Sequence, residues 1–191
     1  MAAETSPRHL SREELEGLLP NITASPRVQG ALQAIFVRPA ENERRSVEQA
    51  ELSQPTGIVG DRWQTDHWQR LPDGSPDPDT QVSIMNARIL RQISGGSDEA
   101  MGLAGDNLIV DFDLSEDHLP AGSRLKIGGE VVIEVSATPH TGCKKFVTRY
   151  GKDAQQFVNS KEGKRHHLRG LLGKIVSPGV IRVGDAVAKV E

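Results

Sequence analysis

The chain has 191 residues and is 36% hydrophobic, which favours one domain with a sizeable core and leaves room for a second small lobe. Its single cysteine excludes an intrachain disulfide, and residues 1–20 contain acidic side chains without the apolar run of a secretory signal. We therefore expect a reducing, cytoplasmic setting. No apolar run is long enough for a membrane span, so we expect no membrane partner.

The formal net charge of −3 hides an uneven distribution along the chain. Residues 1–142 carry 12 Lys and Arg against 22 Asp and Glu, whereas residues 143–174 carry 9 against 2. A basic block of this kind attracts phosphate-bearing ligands, although a solvated surface is the commoner reason for a charge run. The block holds only three aromatic residues and the whole chain is acidic, so nucleic acid is not an expected partner.

Residues 1–29 are predicted to form an N-terminal tail and a short helix. Ser11 and Glu14 have the spacing of a capping box ahead of a leucine-rich edge, and Pro20 is expected to end that helix. Residues 21–30 are then expected to form a loop.

The next predicted element is a strand over residues 31–39. Strict alternation assigns one face to Leu32, Ala34, Phe36 and Arg38 and the other to Ile35 and Val37. Arg38, at the strand end, is a candidate anion ligand or a solvent-facing edge residue. The segment 57–63 predicts a tight turn in which Asp61 caps nearby amides, and residues 64–80 predict a long loop that is either mobile or functional.

The remaining pattern predicts short strands and helices. A strand over 81–85 leads into a helix capped by Asn86, and a two-residue Gly128-Gly129 turn joins two β-branched runs as a hairpin. The other expected elements are strands at 108–112, 174–176, 180–183 and 186–190 and helices at 153–158 and 164–172. Eight or nine strands with this spacing favour a mainly β domain over residues 30–191, either a closed barrel or a sandwich.

The loop that follows the hairpin holds the residues with the most chemistry. Cys143 is preceded by His140, Thr141 and Gly142 and followed by two lysines. Nearby cations lower the pKa of a thiol, and a protonated His140 would act like the lysines. A lone cysteine is also commonly an inert buried residue, and that alternative stays open.

Three chemistries are conceivable for this thiol. A Cys–His nucleophile would need its base only three residues away, and a structural zinc site would need further paired ligands. A single thiolate instead suits a soft or high-valent metal held mainly by another ligand, and the basic block suits the phosphate of such a ligand.

Separated motifs carry a family resemblance over residues 30–190. They are Arg38-Pro39, Gly57-x-x-Gly60-Asp61-Arg62, Gly105-Asp106-Asn107, Pro139-His140-Thr141-Gly142-Cys143, Arg169-Gly170 and residues 179–185. Together and in this order they resemble the MOSC domain family, named for the C-terminal domain of molybdenum cofactor sulfurase. The resemblance implies a mainly β fold, a closed β-barrel with a few short peripheral helices.

The resemblance also implies a site and an activity. It implies a pyranopterin molybdenum cofactor with Cys143 as metal ligand and catalytic residue, or as a persulfide site. The cofactor-binding candidates are Arg38, Arg62, Lys144, Lys145 and Arg169 for the phosphate, and Asn107, His140, Thr141 and Gly142 for polar contacts. The implied activity is reduction of a small N-hydroxylated substrate with electrons from a separate protein.

Other roles remain open beside that activity. The alternative within the family is a non-catalytic carrier of cofactor or of sulfur from a donor protein. The resemblance also implies pyridoxal phosphate binding, as a property of the family as a whole. A barrel used only for protein interaction is the third alternative.

Overall fold

The computed structural model describes residues 8–66 and 68–191. Its strands are β1 Gly30–Val37, β2 Arg45–Val47, β3 Gln49–Ser53, β4 Gly57–Ile58, β5 Val82–Asn86, β6 Leu108–Asp111, β7 Arg124–Ile127, β8 Val131–Val135, β9 Leu171–Ser177, β10 Gly179–Arg182 and β11 Ala186–Val190. The helices are α1 Arg12–Glu16, α2 Leu19–Thr23, α3 Ala87–Ser94, α4 Asp98–Gly102, α5 Lys144–Tyr150, α6 Lys152–Asn159 and α7 Lys161–Arg165.

Within the described residues, seven strands close into a barrel. The order is β11, β7, β8, β9, β5, β6 and β1, and pairing of β1 with β11 completes the ring. In the part of the chain that the structure describes, only β5 and β6 pair in parallel. Helices α3 and α4 lie between these two strands in the chain and supply the crossover that a parallel pair requires. The predicted mainly β, closed-barrel fold is therefore confirmed.

A second, three-stranded sheet covers part of the barrel. Its order is β10, β3 and β4, and Leu52, Ile58 and Ile181 from it join the core cluster inside the barrel. Aliphatic side chains with almost no exposed surface fill that interior, so burial of apolar area stabilises the barrel.

The face assignment predicted for β1 is wrong in one place. Its pairing with β6 shifts register between Leu32 and Ala34, which inserts Gln33 as an extra residue in a β-bulge. Leu32 consequently shares the barrel interior with Ile35 and Val37. Ala34 and Phe36 instead face the helices outside.

The N-terminal prediction is partly correct. Ser11 caps α1 in the predicted capping box, in which its side chain accepts from the Glu14 amide and the Glu14 carboxylate accepts from the Ser11 amide. Pro20, however, lies in the first turn of α2, where its missing N–H costs nothing. The loop predicted from residue 21 therefore begins later, after Thr23.

Two further predictions need correction. The helix predicted over 164–172 is wrong, because α7 ends at Arg165 and Leu171 already belongs to β9. The hairpin between β7 and β8 is confirmed, but Ile127 pairs with Val131, so its turn has three residues rather than two.

The helices pack on the outside of the barrel. Their apolar side chains form a second core cluster with outward-facing strand residues such as Phe36, Met85 and Ile109. Among the described residues, no helix has both the length and the apolar content that a membrane crossing needs.

Candidate functional site

The cysteine lies on a short connection between the barrel and α5. Residues 136–142 leave β8, and Cys143 occupies the residue immediately before α5 with its side chain exposed. The alternative of a buried cysteine is therefore wrong.

Helix α6 fixes the residue before the thiol. The Gly142 amide donates to Asn159 Oδ1 at 2.8 Å, and the Gly142 carbonyl accepts from Gln155 Nε2 and Asn159 Nδ2, both at 3.0 Å. A Cβ at Gly142 would lie 3.1 Å from Val158 Cγ2, so glycine permits close packing of the loop on the helix. These contacts hold the Cys143 backbone in place.

The environment favours the ionised form of the thiol. Partial burial raises the pKa of Cys143, but hydrogen bonds from the Phe146 and Lys145 amides and the charge of Arg169 outweigh it and lower the pKa below its ordinary 9.0. The main stabilising groups are therefore backbone amides and a buried arginine, rather than the lysine ammonium groups predicted from the sequence.

Cys143 opens onto a cavity of about 340 Å³, here called the arginine cavity. Its basic lining residues are Arg38, Arg44, Arg62, Lys145, Arg149 and Arg169. Among the residues that the structure describes, Asp66 is its only acidic lining residue, and Trp63, Trp68 and Phe146 supply aromatic walls. A cleft lined mainly by one sign of charge attracts ligands of the opposite sign.

Three of these arginines are paired with carboxylates. Arg38 donates to Asp61 through Nε at 2.8 Å and through Nη2 at 2.9 Å. Arg169 Nη1 donates to Asp106 Oδ2 at 2.6 Å, its Nη2 donates to the Ala104 carbonyl at 3.1 Å, and its guanidinium lies over the Phe146 ring.

Arg62 pairs with Asp66, one helical turn away. Each of the three guanidinium groups thus has a carboxylate partner.

Two arginines in the cavity lack such a partner. Within residues 8–66 and 68–191, neither Arg44 nor Arg149 forms an ion pair; they donate only to the carbonyls of Glu43 and Leu103. Burial and then the charges of Arg149, Arg38 and Arg62 lower the pKa of Arg44 to about 10, and its Nε is buried without a partner. Lys145 Nζ lies 3.6 Å from the carboxylate of the exposed Glu41.

The cavity therefore carries an excess of positive charge that a bound anion would neutralise. Sequence reasoning missed both unpaired arginines. Arg149 was visible only as one member of the basic block, and Arg44 stands in a polar loop about a hundred residues earlier in the chain. The positions of Arg44 and Arg149 in the sequence do not indicate that they are neighbours, because only the folded barrel brings them into one cavity.

His140 lines the inner wall of the cavity, and the fully buried Asp106 lies behind it. His140 Nδ1 lies 3.5 Å from Asp106 Oδ1, and neither atom has a hydrogen-bond partner among the described residues. Burial, reinforced by the positive charges of Arg169 and Arg38, lowers the pKa of His140 well below its ordinary 6.5. A pKa lowered in this way favours the neutral imidazole over the protonated His140 considered from the sequence.

The other predicted site residues occupy different places. Asn107 is fully buried. Its Nδ2 donates to Asp61 Oδ2 at 3.0 Å and to the Phe36 carbonyl at 3.1 Å, so it helps to hold Asp61 in place for the pair with Arg38. Thr141 lines a neighbouring cavity, and Lys144 is exposed outside both.

The arginine cavity thus brings together six of the predicted residues: Arg38, Arg62, His140, Cys143, Lys145 and Arg169.

The fold and the site define a class of protein. It is a β-barrel that presents an exposed cysteine beside a cavity whose basic residues are mainly arginines. The MOSC domain family model matches residues 72–188, more than half of the chain, and the chain belongs to that family.

Solved structures share this fold. YUAD protein from Bacillus subtilis is 14% identical with a TM-score of 0.58, covering 84% of this chain and 95% of its own. YiiM from Escherichia coli is 18% identical with a TM-score of 0.56, covering 86% and 70%. YiiM from Geobacillus stearothermophilus is 18% identical with a TM-score of 0.55, covering 85% and 75%. Among curated protein sequences, none matches the chain significantly.

Proposed function

We propose that this protein binds a pyranopterin molybdenum cofactor in the arginine cavity, with Cys143 as metal ligand, and reduces N-hydroxylated compounds. One observation carries the proposal: an exposed thiol of lowered pKa lines the same cavity as two arginines that have no acidic partner among the described residues. Membership of the MOSC family supports this cofactor over other phosphate-bearing ligands.

The cation excess fits the cofactor's phosphate. Arg44 and Arg149 have donors available for phosphate oxygens, and a guanidinium can bind such oxygens through two parallel hydrogen bonds. An anion beside Arg44 would also relieve the repulsion from Arg149, Arg38 and Arg62 that lowers the Arg44 pKa. The paired Arg38 and Arg169 would shape the cavity rather than supply its excess charge.

The thiol fits the metal. A thiolate is a soft ligand and must be deprotonated to bind, so a lowered pKa increases the fraction available near neutral pH. Cys143 is the only cysteine of the chain, so no neighbouring thiol could replace it. Its exposed position leaves it reachable by a ligand that enters from the cavity.

The overall reaction would cleave an N–O bond. A hydroxylamino group, two electrons and two protons give an amine and water, and the electrons would come from a separate electron-transfer protein. The cofactor, when bound, supplies the two-electron chemistry. The protein supplies the sulfur ligand, holds the phosphate with arginines, and offers neutral His140 as a hydrogen-bonding group at the inner wall.

The test is turnover with an artificial electron donor. The native protein, produced where cofactor synthesis is intact, should reduce a hydroxylamino compound, and Cys143→Ser should lose activity by about 100-fold or more because a first ligand is lost. Lys152→Ser, an exposed change outside the cavity, is the matched control. A molybdenum-loaded protein that turns over none of several N-hydroxylated compounds would refute the reductase role.

A carrier function is the second candidate, and the same exposed thiol favours it. Cys143 is accessible from outside the barrel, as sulfur transfer from a donor protein would require. Mass spectrometry would then find one added sulfur atom on Cys143 in protein that contains no molybdenum. The cytoplasmic setting remains a prediction and rests on the free thiol.

A further inference from the structure

One aromatic side chain of the arginine cavity stands largely in solvent. Trp63, Trp68 and Phe146 line this cavity together with Cys143. The side chain of Trp68 is 70% exposed, so most of its ring is in contact with water. An indole is large and mainly apolar, and a ligand in the cavity could cover that exposed area.

The other two aromatic rings already have partners. Trp63 is buried, and its indole N–H donates to the Thr80 hydroxyl at 3.2 Å. Phe146 is buried as well, and the Arg169 guanidinium lies over its ring at 5.1 Å from the centroid. Of the three aromatic residues in the described lining, Trp68 is the one whose ring is left open to solvent.

The chain is tethered on both sides of Trp68. Asp66 pairs with Arg62, and the Asp66 amide donates to the Arg62 carbonyl at 2.8 Å. Gln69 Nε2 donates to Asp77 Oδ2 at 2.8 Å, and the Asp77 amide donates to the Gln69 carbonyl at 3.2 Å. Because these contacts hold the backbone beside the cavity, less conformational freedom is lost when a ligand covers the indole.

The open ring and the excess of positive charge favour the same kind of ligand. Arg44 and Arg149 line the cavity with donors available for phosphate oxygens. An indole face stacks well on a flat nitrogen heterocycle. A ligand that uses both features joins such a ring to a phosphate group, as a pterin phosphate and a nucleotide both do.

We propose that Trp68 stacks on the pterin ring of the cofactor while Arg44 and Arg149 bind its phosphate. The inference rests on the proposed function and adds to it a residue that recognises the ring rather than the phosphate or the metal. A nucleotide is the other source of this ligand chemistry, so the test includes one.

Binding to cofactor-free protein tests the stacking without turnover. The chain has two tryptophans, so two indole N–H signals are expected by NMR, and the one missing from Trp68→Leu belongs to Trp68. Neopterin monophosphate should shift that signal through its ring current. It should also bind more tightly than guanosine monophosphate. Inorganic phosphate, which has no ring, should shift the Trp68 signal far less.

Variants separate the ring contact from the charge. Trp68→Leu should lower the affinity for neopterin monophosphate by about tenfold and leave that for inorganic phosphate unchanged, because only the stacking is lost. Trp68→Phe keeps a flat ring and should retain most of the affinity. Arg44→Gln should weaken both ligands. Leu71→Ala, an exposed change on the same loop, is the matched control and should weaken neither.

Several outcomes would overturn the inference. They are an unchanged affinity in Trp68→Leu, an equal loss for both ligands, an unmoved Trp68 signal, tighter binding of guanosine monophosphate, and no binding of neopterin monophosphate.

Molybdenum content separates this inference from the proposed function. A native protein that acquires molybdenum although the Trp68 contact is disproved would leave the proposed function standing. Binding of neopterin monophosphate that depends on Trp68, in a protein that never acquires molybdenum, would keep the stacking and refute the reductase.

Discussion

Replacing Arg44 with glutamine should stabilise the cofactor-free protein and weaken anion binding at the same time. Neighbouring charges and burial lower the Arg44 pKa from 12.5 to about 10, so the protonated side chain is less favourable in the folded than in the unfolded chain. At about 1.4 kcal/mol per pKa unit the full shift corresponds to about 3 kcal/mol. Arg44 is only half-buried, and solvent screening reduces this to about 1–2 kcal/mol.

The hydrogen bond from Arg44 to the Glu43 carbonyl would be lost, which costs about 0.5–1 kcal/mol. The net expectation is a gain near 1 kcal/mol in the free energy of unfolding, or about 2–4 °C in Tm for a domain of this size. The sign follows from the depressed pKa: between pH 10 and 12.5 the unfolded chain holds the proton more tightly, so native stability rises with pH there.

Urea denaturation of cofactor-free protein, with and without pyrophosphate, measures both effects. Pyrophosphate should stabilise the native protein and stabilise Arg44→Gln much less, since a charged hydrogen-bond donor to the anion is gone. Arg45→Gln is the control, because Arg45 is exposed and forms its ion pair with Glu43 at the surface. A destabilised Arg44→Gln with unchanged pyrophosphate response would refute the cation excess.

Three further predictions follow from the same contacts. Thiolate absorbance should give Cys143 a pKa below 9.0 in the folded protein and a higher pKa in urea. A folded pKa equal to or above the pKa in urea would contradict stabilisation of the thiolate by the backbone amides and Arg169. His140→Gln should make the free energy of unfolding depend less on pH than it does in the native protein. In the folded native protein His140 faces Asp106, Arg169 and Arg38 and resists protonation, whereas the same side chain is protonated more easily in the unfolded chain. As the pH falls below 6.5, the free energy of unfolding of the native protein should therefore decrease by up to about 1.4 kcal/mol per pH unit. The same pH dependence in the native protein and in His140→Gln would disprove this. Asp61→Ala should cost about 3–5 kcal/mol in chemical denaturation, since Arg38 and the Trp63 amide lose a buried acceptor; a cost under about 1 kcal/mol would show that the pair is not structural.

Local signals in the sequence predicted local structure well. The Ser11 capping box, the Asn86 helix cap and the glycine hairpin after β7 are all present, because each depends on residues only a few positions apart. Asp61 likewise caps the Trp63 amide as predicted. Its larger role, anchoring Arg38 from the end of β1, depends on the folded barrel.

Non-local features were the ones missed. The bulge at Gln33 comes from pairing with β6, and no pattern within β1 alone signals it. Residues 164–172 look helical, yet Gly170 adopts φ +94 and a Cβ there would lie 2.3 Å from the Ile84 carbonyl oxygen, so the chain turns into β9 instead. Strand pairing overrides helical pattern at that position.

The site divides in the same way. Cys143 and the residues just before it were found because they stand together in the sequence, and Arg38 because it ends a predicted strand. Arg62 and Arg169 were found through the family resemblance. Arg44 and Arg149 required the fold, and so did the contact between His140 and Asp106. A charge count shows that cations are present, but only the ion pairs show which of them are left for a ligand.

Molybdenum content per chain, measured in native protein beside Cys143→Ser from the same cofactor-producing host, tests the central claim most directly. The account predicts molybdenum in the native protein and at least about a tenfold loss in the variant, with both chains equally folded. Equal molybdenum in the two proteins, or none in the native one despite intact cofactor synthesis, would contradict it.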